Sequence, residues 1–261
     1  MFAYLPPYAK AYLYAVVFLF GAVMGSGLNC LAYRLAREQK WSGGRSVCVS
    51  CGHTLGILDL VPIFSYLFLK GKCRHCGAKI SPRYVLTEVF LGLCYASILA
   101  RFGLTLEALS ALVLVSCLFC LSLVDLDIQI IPNRFLVIPA VVQIAVLLIR
   151  QGWRGALLSL VPAVIFGGGL LVLSLVLDKL LKKDTMGGGD IKLMAALGLF
   201  FSIPECLLLL ILACVFGLVI ASVLMKVKED TPFPFGPALS LAAWVTLLVG
   251  SGVISWYLNL F

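Results

Sequence analysis

The stretch that decides the fold is residues 105–124, TLEALSALVLVSCLFCLSLV, which runs straight into Asp125-Leu-Asp127. A helix needs ~20 mostly apolar residues to cross ~30 Å of hydrocarbon, and this run has that length and character. Working outward, similar runs lie near 11–33, 84–101, 135–149, 156–178, 191–203, 205–225 and 237–259. The run 135–149 is barely long enough. The run 191–203 is shorter still and stops at Pro204, so it is either a half-helix or continues, kinked, into the next run. Of the 261 residues, 62% are hydrophobic and 12% charged, with a mean hydropathy of +1.10. A water-soluble domain is closer to half apolar and a quarter charged, so lipid must solvate much of this surface. The expected fold is an all-α polytopic membrane protein of about eight transmembrane helices.

The net charge is +8. Nucleic-acid binding would ask for basic residues interleaved with aromatics for base stacking, and that pattern is missing. The basic residues fall instead between apolar runs, where they orient the chain. With the N-terminus outside and eight crossings, the inside loops hold Arg34, Arg37, Lys40, Arg45, Lys70, Lys72, Arg74, Lys79, Arg83, Arg134, Lys179, Lys182, Lys183, Lys192, Lys226 and Lys228. Outside remain Lys10, Arg101, Arg150 and Arg154, a division of 16 against 4 among 20. The excess of Lys and Arg on one side puts those loops in the cytoplasm and the N-terminus outside, which in a bacterial inner membrane is the periplasmic side. The run 11–31 is too long for the core of a signal peptide and only Lys10 precedes it, so it reads as a retained first helix.

Residues 34–83 break the apolar pattern. They form a polar, basic insert too small for a large core, and such a unit needs a staple. Its staple is Cys48-Val-Ser-Cys51 and Cys73-Arg-His-Cys76, with 21 residues between the pairs. Two such turns facing each other offer four thiolates to a tetrahedral zinc ion. Gly52 and Gly77 follow the pairs and suit tight turns. Disulfides seldom persist in the cytoplasm, where the charge count puts the insert. Cys48, Cys51, Cys73 and Cys76 are therefore expected to hold a structural zinc; His53 and His75 beside them could substitute as ligands, but with four thiolates available they read more simply as solvent-exposed. A closed four-thiolate site stabilises the insert and leaves no position open for chemistry. Cys117 and Cys120 form a third Cys-x-x-Cys inside a span. Like Cys30, Cys94, Cys206 and Cys214, they read as small apolar residues.

Acids at membrane depth are costly and point to function. Asp125 and Asp127 lie at the cytoplasmic end of the third span. Asp190, in Met186-Gly-Gly-Gly-Asp190, starts the sixth on the same side. Two carboxylates brought close cannot both ionise easily, so one can polarise a carbonyl while the other activates water. Equally, Asp125 and Asp127 can face a wet loop while Asp190 caps a helix. Spacing alone leaves both readings open, and a cation transporter would use membrane aspartates too.

The motifs taken together resemble one family. Gly25-Ser-Gly-Leu-Asn29 with Arg34-Leu35, then Arg45-Ser-Val-Cys48 through Cys76 to Ile80-Ser-Pro-Arg-Tyr84 and Glu88, are similar to the first helix and insert of bacterial type IV prepilin peptidases. Asp125…Ile131-Pro-Asn133, Gly187-Gly-Gly-Asp190 and Pro234-Phe-Gly-Pro237 follow in the family's order. Val49 stands where many relatives have proline, and Asn133 where many have aspartate; neither change removes a ligand or an acid. The resemblance implies an intramembrane aspartyl peptidase of the GxGD type. Asp125 and Asp190 would be its catalytic pair, with Asp127 the runner-up. It implies prepilins and pseudopilins as substrates, surrounding membrane lipid, no nucleic acid, and a bacterial inner-membrane location. It also implies N-methylation with S-adenosylmethionine, for which Asn29, Arg34, Asp59 and Glu88 are candidates as much as they are structural residues. The implied domains are a first helix at 1–33, a methyltransferase-associated zinc insert at 34–83 and a peptidase domain at 84–261. The rival readings are a metal or proton transporter with a cysteine sensor, and a non-catalytic scaffold with a docking knuckle.

Overall fold

The structure is a computed structural model that describes residues 6–39, 46–183, 186–224 and 234–260. Lys40, Arg45, Lys226 and Lys228 of the charge count lie outside those residues. The described residues are helical, with only two isolated β-bridges, and they divide into two compact units, Met1–Leu104 and Thr105–Phe261.

In the first unit, α1 (Pro7–Ala36) packs along α3 (Arg83–Phe102). Small residues set their spacing: a Cβ built on Gly21 would lie 2.9 Å from the Gly92 Cα, and one on Gly25 would lie 2.9 Å from the Thr87 carbonyl oxygen. Close backbone approach of this kind is how helices associate in lipid, where no hydrophobic force drives them together. Between them lies the insert, with a 3₁₀ turn (Ile57–Asp59) and the short helix α2 (Phe64–Phe68).

The second unit is built around α4 (Leu106–Ile128), its most buried long helix, which packs on α5 (Arg134–Leu181) and α8 (Gly236–Leu258). Thr105 caps α4 by accepting the Ala108 N–H at 3.1 Å. Gln129, at φ 57°, closes the helix in the left-handed region. In α5, Gly152 has φ 70° and ψ −171°, so the helix is two arms joined at a break. Those arms correspond to the separate runs 135–149 and 156–178. Helix α6 (Gly188–Leu197) rises only ~15 Å, half of a ~30 Å hydrocarbon layer. Pro204 does not kink a continuous helix. It occupies the first turn of α7 (Ile203–Leu224), where its missing N–H costs nothing, and Glu205 accepts the Ser202 N–H at 2.9 Å. The run 191–203 is thus a half-helix, and among the described residues six helices are long and apolar enough to cross a membrane.

Candidate active site and metal centre

Asp125 lies in the last turn of α4 and is 5% exposed. Its Oδ2 accepts the Gly236 N–H at 3.0 Å. Gly236 opens α8 and is followed by Pro237, so the carboxylate rests on the positive end of that helix. A Cβ on residue 236 would stand 2.6 Å from the same Oδ2, so glycine is required for this approach.

Asp190 is in the first turn of α6, half-buried, with its Oδ2 turned back toward Gly187. It too sits at a helix N-terminus, as the capping reading anticipated. Of the three preceding glycines, Gly189 does the packing: its Cβ would be 3.0 Å from that of Ile131, in the chain leaving α4. This contact brings the two aspartate-bearing segments together, and Asp190 lies within electrostatic reach of Asp125. Asp127 is exposed, next to the C-terminal end of α4. Helix α6 is wedged onto α5, where a Cβ on Gly167 would be 2.5 Å from the Ala195 Cβ. Gln143 also donates to the Leu199 carbonyl at 3.4 Å. The role of Gly236 was not legible in sequence beyond its membership of Pro234-Phe-Gly-Pro237. A proline just inside a helix start, preceded by glycine, was the available signal.

In the first unit the two cysteine turns repeat each other. The Gly52 and Gly77 N–H groups bond to the Cys48 and Cys73 carbonyls at 2.9 Å, and both glycines have φ near 70°. The sulfurs of Cys48, Cys51, Cys73 and Cys76 all lie within 4.8 Å of one another, and Cys48 and Cys76 are 3.9 Å apart. Four Zn–S bonds of ~2.3 Å in a tetrahedron put sulfurs ~3.8 Å apart, so the cluster fits zinc. Backbone N–H groups of Cys51 and Ser50 hold the Cys48 thiol down to about 6. The Ala78 N–H also draws Cys76 down, but desolvation and the three neighbouring sulfurs outweigh it and push that thiol up to about 11. Four thiolates this crowded need a cation between them. The His53 and His75 rings are exposed, with centroids 3.5 Å apart and planes tilted by 37°.

Two of the four candidates for methyl transfer have structural bonds. Asp59 accepts the Gly56 N–H at 3.1 Å and the Arg74 Nε–H at 2.8 Å. The Gly56 bond, followed by Arg74, keeps the Asp59 carboxyl below its ordinary range. Glu88, 7% exposed, accepts the Ile63 N–H at 2.7 Å. Asn29 is buried in α1, and Arg34 lies in its last turn.

Fold and site define a polytopic membrane protein with a carboxylate pair at the helix ends of one unit and a four-thiolate knuckle pair in the other. Comparison with known proteins narrows this. Residues 19–102 match the bacterial peptidase A24 N-terminal domain, and residues 112–222 match the type IV leader peptidase family. Proteins named Prepilin leader peptidase/N-methyltransferase are similar along nearly the whole chain. That of Aeromonas hydrophila is 31% identical, covering 95% of this chain and 94% of its own. That of Bacillus subtilis is 30% identical, covering 94% and 98%. That of Pseudomonas aeruginosa is 30% identical, covering 98% and 97%. No solved structure matches. The chain belongs to the type IV leader peptidase family and is a multi-pass inner-membrane protein.

Proposed function

We propose that this protein cleaves the basic leader from type IV prepilins and pseudopilins at the cytoplasmic face of the inner membrane, then N-methylates the new N-terminus with S-adenosylmethionine. Similarity along the whole chain to proteins named for both activities supports the pairing. Asp125 and Asp190 are the catalytic pair. The observation that carries this is the buried Asp125 carboxylate on the Gly236 N–H, with the Asp190 turn packed against Ile131. Two interacting carboxylates share a proton and titrate as a unit. The protonated one polarises the scissile carbonyl while the other takes a proton from a water held between them. Both histidines stand beside the cysteine pairs, so no Ser/His or Cys/His pair competes.

The prepilin's apolar segment enters sideways, and its basic leader is drawn to the carboxylates' negative charge. Up to Lys192, 14 basic residues fall on the insert's side against Lys10, Arg101, Arg150 and Arg154 on the other, a division that does not need 191–203 to cross; it supports an N-terminus on the periplasmic side, with the insert and both aspartates facing the cytoplasm. Cys48, Cys51, Cys73 and Cys76 would hold a zinc that fixes the fold of the insert, the part of the chain assigned to methyl transfer; residues 84–261 carry cleavage. Nothing favours the transporter reading. The buried acids among the described residues are Glu88 and Asp125, and each is engaged by a backbone N–H rather than joined in a relay. The test is a leader-cleavage assay on purified protein with a radiolabelled methyl donor. Shortened, labelled prepilin is expected; intact, unlabelled prepilin would reject the proposal.

A further inference from the structure

The loop between the two cysteine pairs exposes apolar side chains. Ile57 is 83% and Phe68 82% exposed, and Leu58, Phe64 and Leu67 are exposed as well. A patch of this kind is not left facing water without a reason. Two features of the first unit say what covers it.

The first is an anchor. The Ile63 N–H bonds to Glu88 of the spanning helix α3 at 2.7 Å. To make that bond Ile63 takes φ 64°, which strains a β-branched residue. The loop is therefore tied down onto α3.

The second is depth. Glu88 packs beside Gly25 of α1. At ~1.5 Å per residue, Gly25 is ~22 Å along α1 from Lys10, and Glu88 is ~20 Å along α3 from Arg101. Those two basic residues mark the opposite rim of the same helix pair. In a hydrocarbon layer ~30 Å thick, the Ile63–Glu88 bond then lies ~8–10 Å inside the boundary on the insert's side. Interfacial segments bury their apolar side chains ~5–10 Å deep, at the junction of headgroups and acyl chains. Arg83, five residues nearer the end of α3, falls at that boundary, and the exposed Lys70 and Lys72 flank the patch, where lipid phosphates would meet them.

We propose that residues 57–68 form an interfacial element seated in the leaflet beneath the insert, with Ile57, Leu58, Phe64, Leu67 and Phe68 among the upper acyl chains. The Glu88–Ile63 bond sets its depth, and the knuckle pair is thereby held flat against the membrane. This rests on the first unit alone and does not require the catalytic assignment.

The test uses full-length protein in phosphatidylcholine–phosphatidylglycerol vesicles. Trp41, Trp153, Trp244 and Trp256 are replaced by Phe, and Phe68→Trp supplies the only indole. Lipid brominated near the headgroup end of the acyl chain should quench its emission about twofold or more, with aqueous iodide having little effect. Leu58→Trp in the same background should behave alike, and serves where Phe68→Trp does not fold. Iodide quenching without lipid quenching in a folded variant would overturn the proposal. So would indoles shielded from iodide only after a prepilin is added, because the patch would then be a protein-docking surface.

Discussion

Replacing Gly236 with Ala adds one methyl group at the point where α8 meets Asp125. The new Cβ would lie 2.6 Å from Oδ2, against an ordinary contact of 3.4 Å or more, so carboxylate and helix start must separate by at least about 0.8 Å. Moving the carboxylate aside weakens or breaks the 3.0 Å bond from the Gly236 N–H. A hydrogen bond to a charged group is worth about 1.5–3 kcal/mol, and displacing a reacting group by about 1 Å can cost about 10²-fold. The expected loss of leader cleavage is thus about 10²-fold. Alanine is the better helix former by up to about 1 kcal/mol, so membrane insertion, helicity and metal content should be unchanged. The assay compares kcat for prepilin cleavage in detergent, with methylation of a precleaved pilin as an internal control. Cleavage within about twofold of wild type in G236A would refute the reasoning, since the N–H to carboxylate contact would then be dispensable.

Neighbouring glycines in α5 should diverge: G167A meets the Ala195 Cβ and should cost about 1–3 kcal/mol while shifting α6, whereas G168A meets nothing and should be neutral or stabilising by up to about 1 kcal/mol. Thermal melts in detergent read both, and equal effects would contradict the packing of α6. C73S should release the metal and unfold the insert, because structural zinc supplies about 10–16 kcal/mol of apparent binding energy; methylation should fall further than cleavage, and equal loss of the two would contradict the division of labour. D59A removes the bonds to Gly56 and Arg74 and should weaken the insert by about 1 kcal/mol at neutral pH, read as faster proteolysis of the loop between the cysteine pairs. Since the folded Asp59 carboxyl is held below its ordinary value of 3.8, this contribution is present above that pH and is lost only in more acid solution.

What the sequence made legible follows from what lipid and metal demand of local composition. Each apolar run other than 191–203 is a helix because backbone polar groups must be satisfied internally within the bilayer, and the break between 135–149 and 156–178 fell where Gly152 takes a positive φ. The two Cys-x-x-Cys turns were legible because tetrahedral thiolate coordination imposes short spacings. The fate of 191–203 was not, because ten helical residues followed by a turn have the same composition as a marginal span. Asp125 and Asp127 were hard to separate by position alone; burial on α4 distinguishes them, and burial depends on which helices arrive from elsewhere in the chain. The Gly236 contact was invisible for the same reason: its chemistry is a backbone N–H, which every residue except proline carries, meeting a carboxylate 111 positions away.

The central claim is that two acids from distant motifs act as one unit on one peptide bond. Its most direct measurement is prepilin cleavage by the inserted proteins D125N, D190N and D127N in parallel. Cleavage should vanish in the first two and persist in the third. Activity near wild type in D190N, or loss confined to D127N, would contradict it.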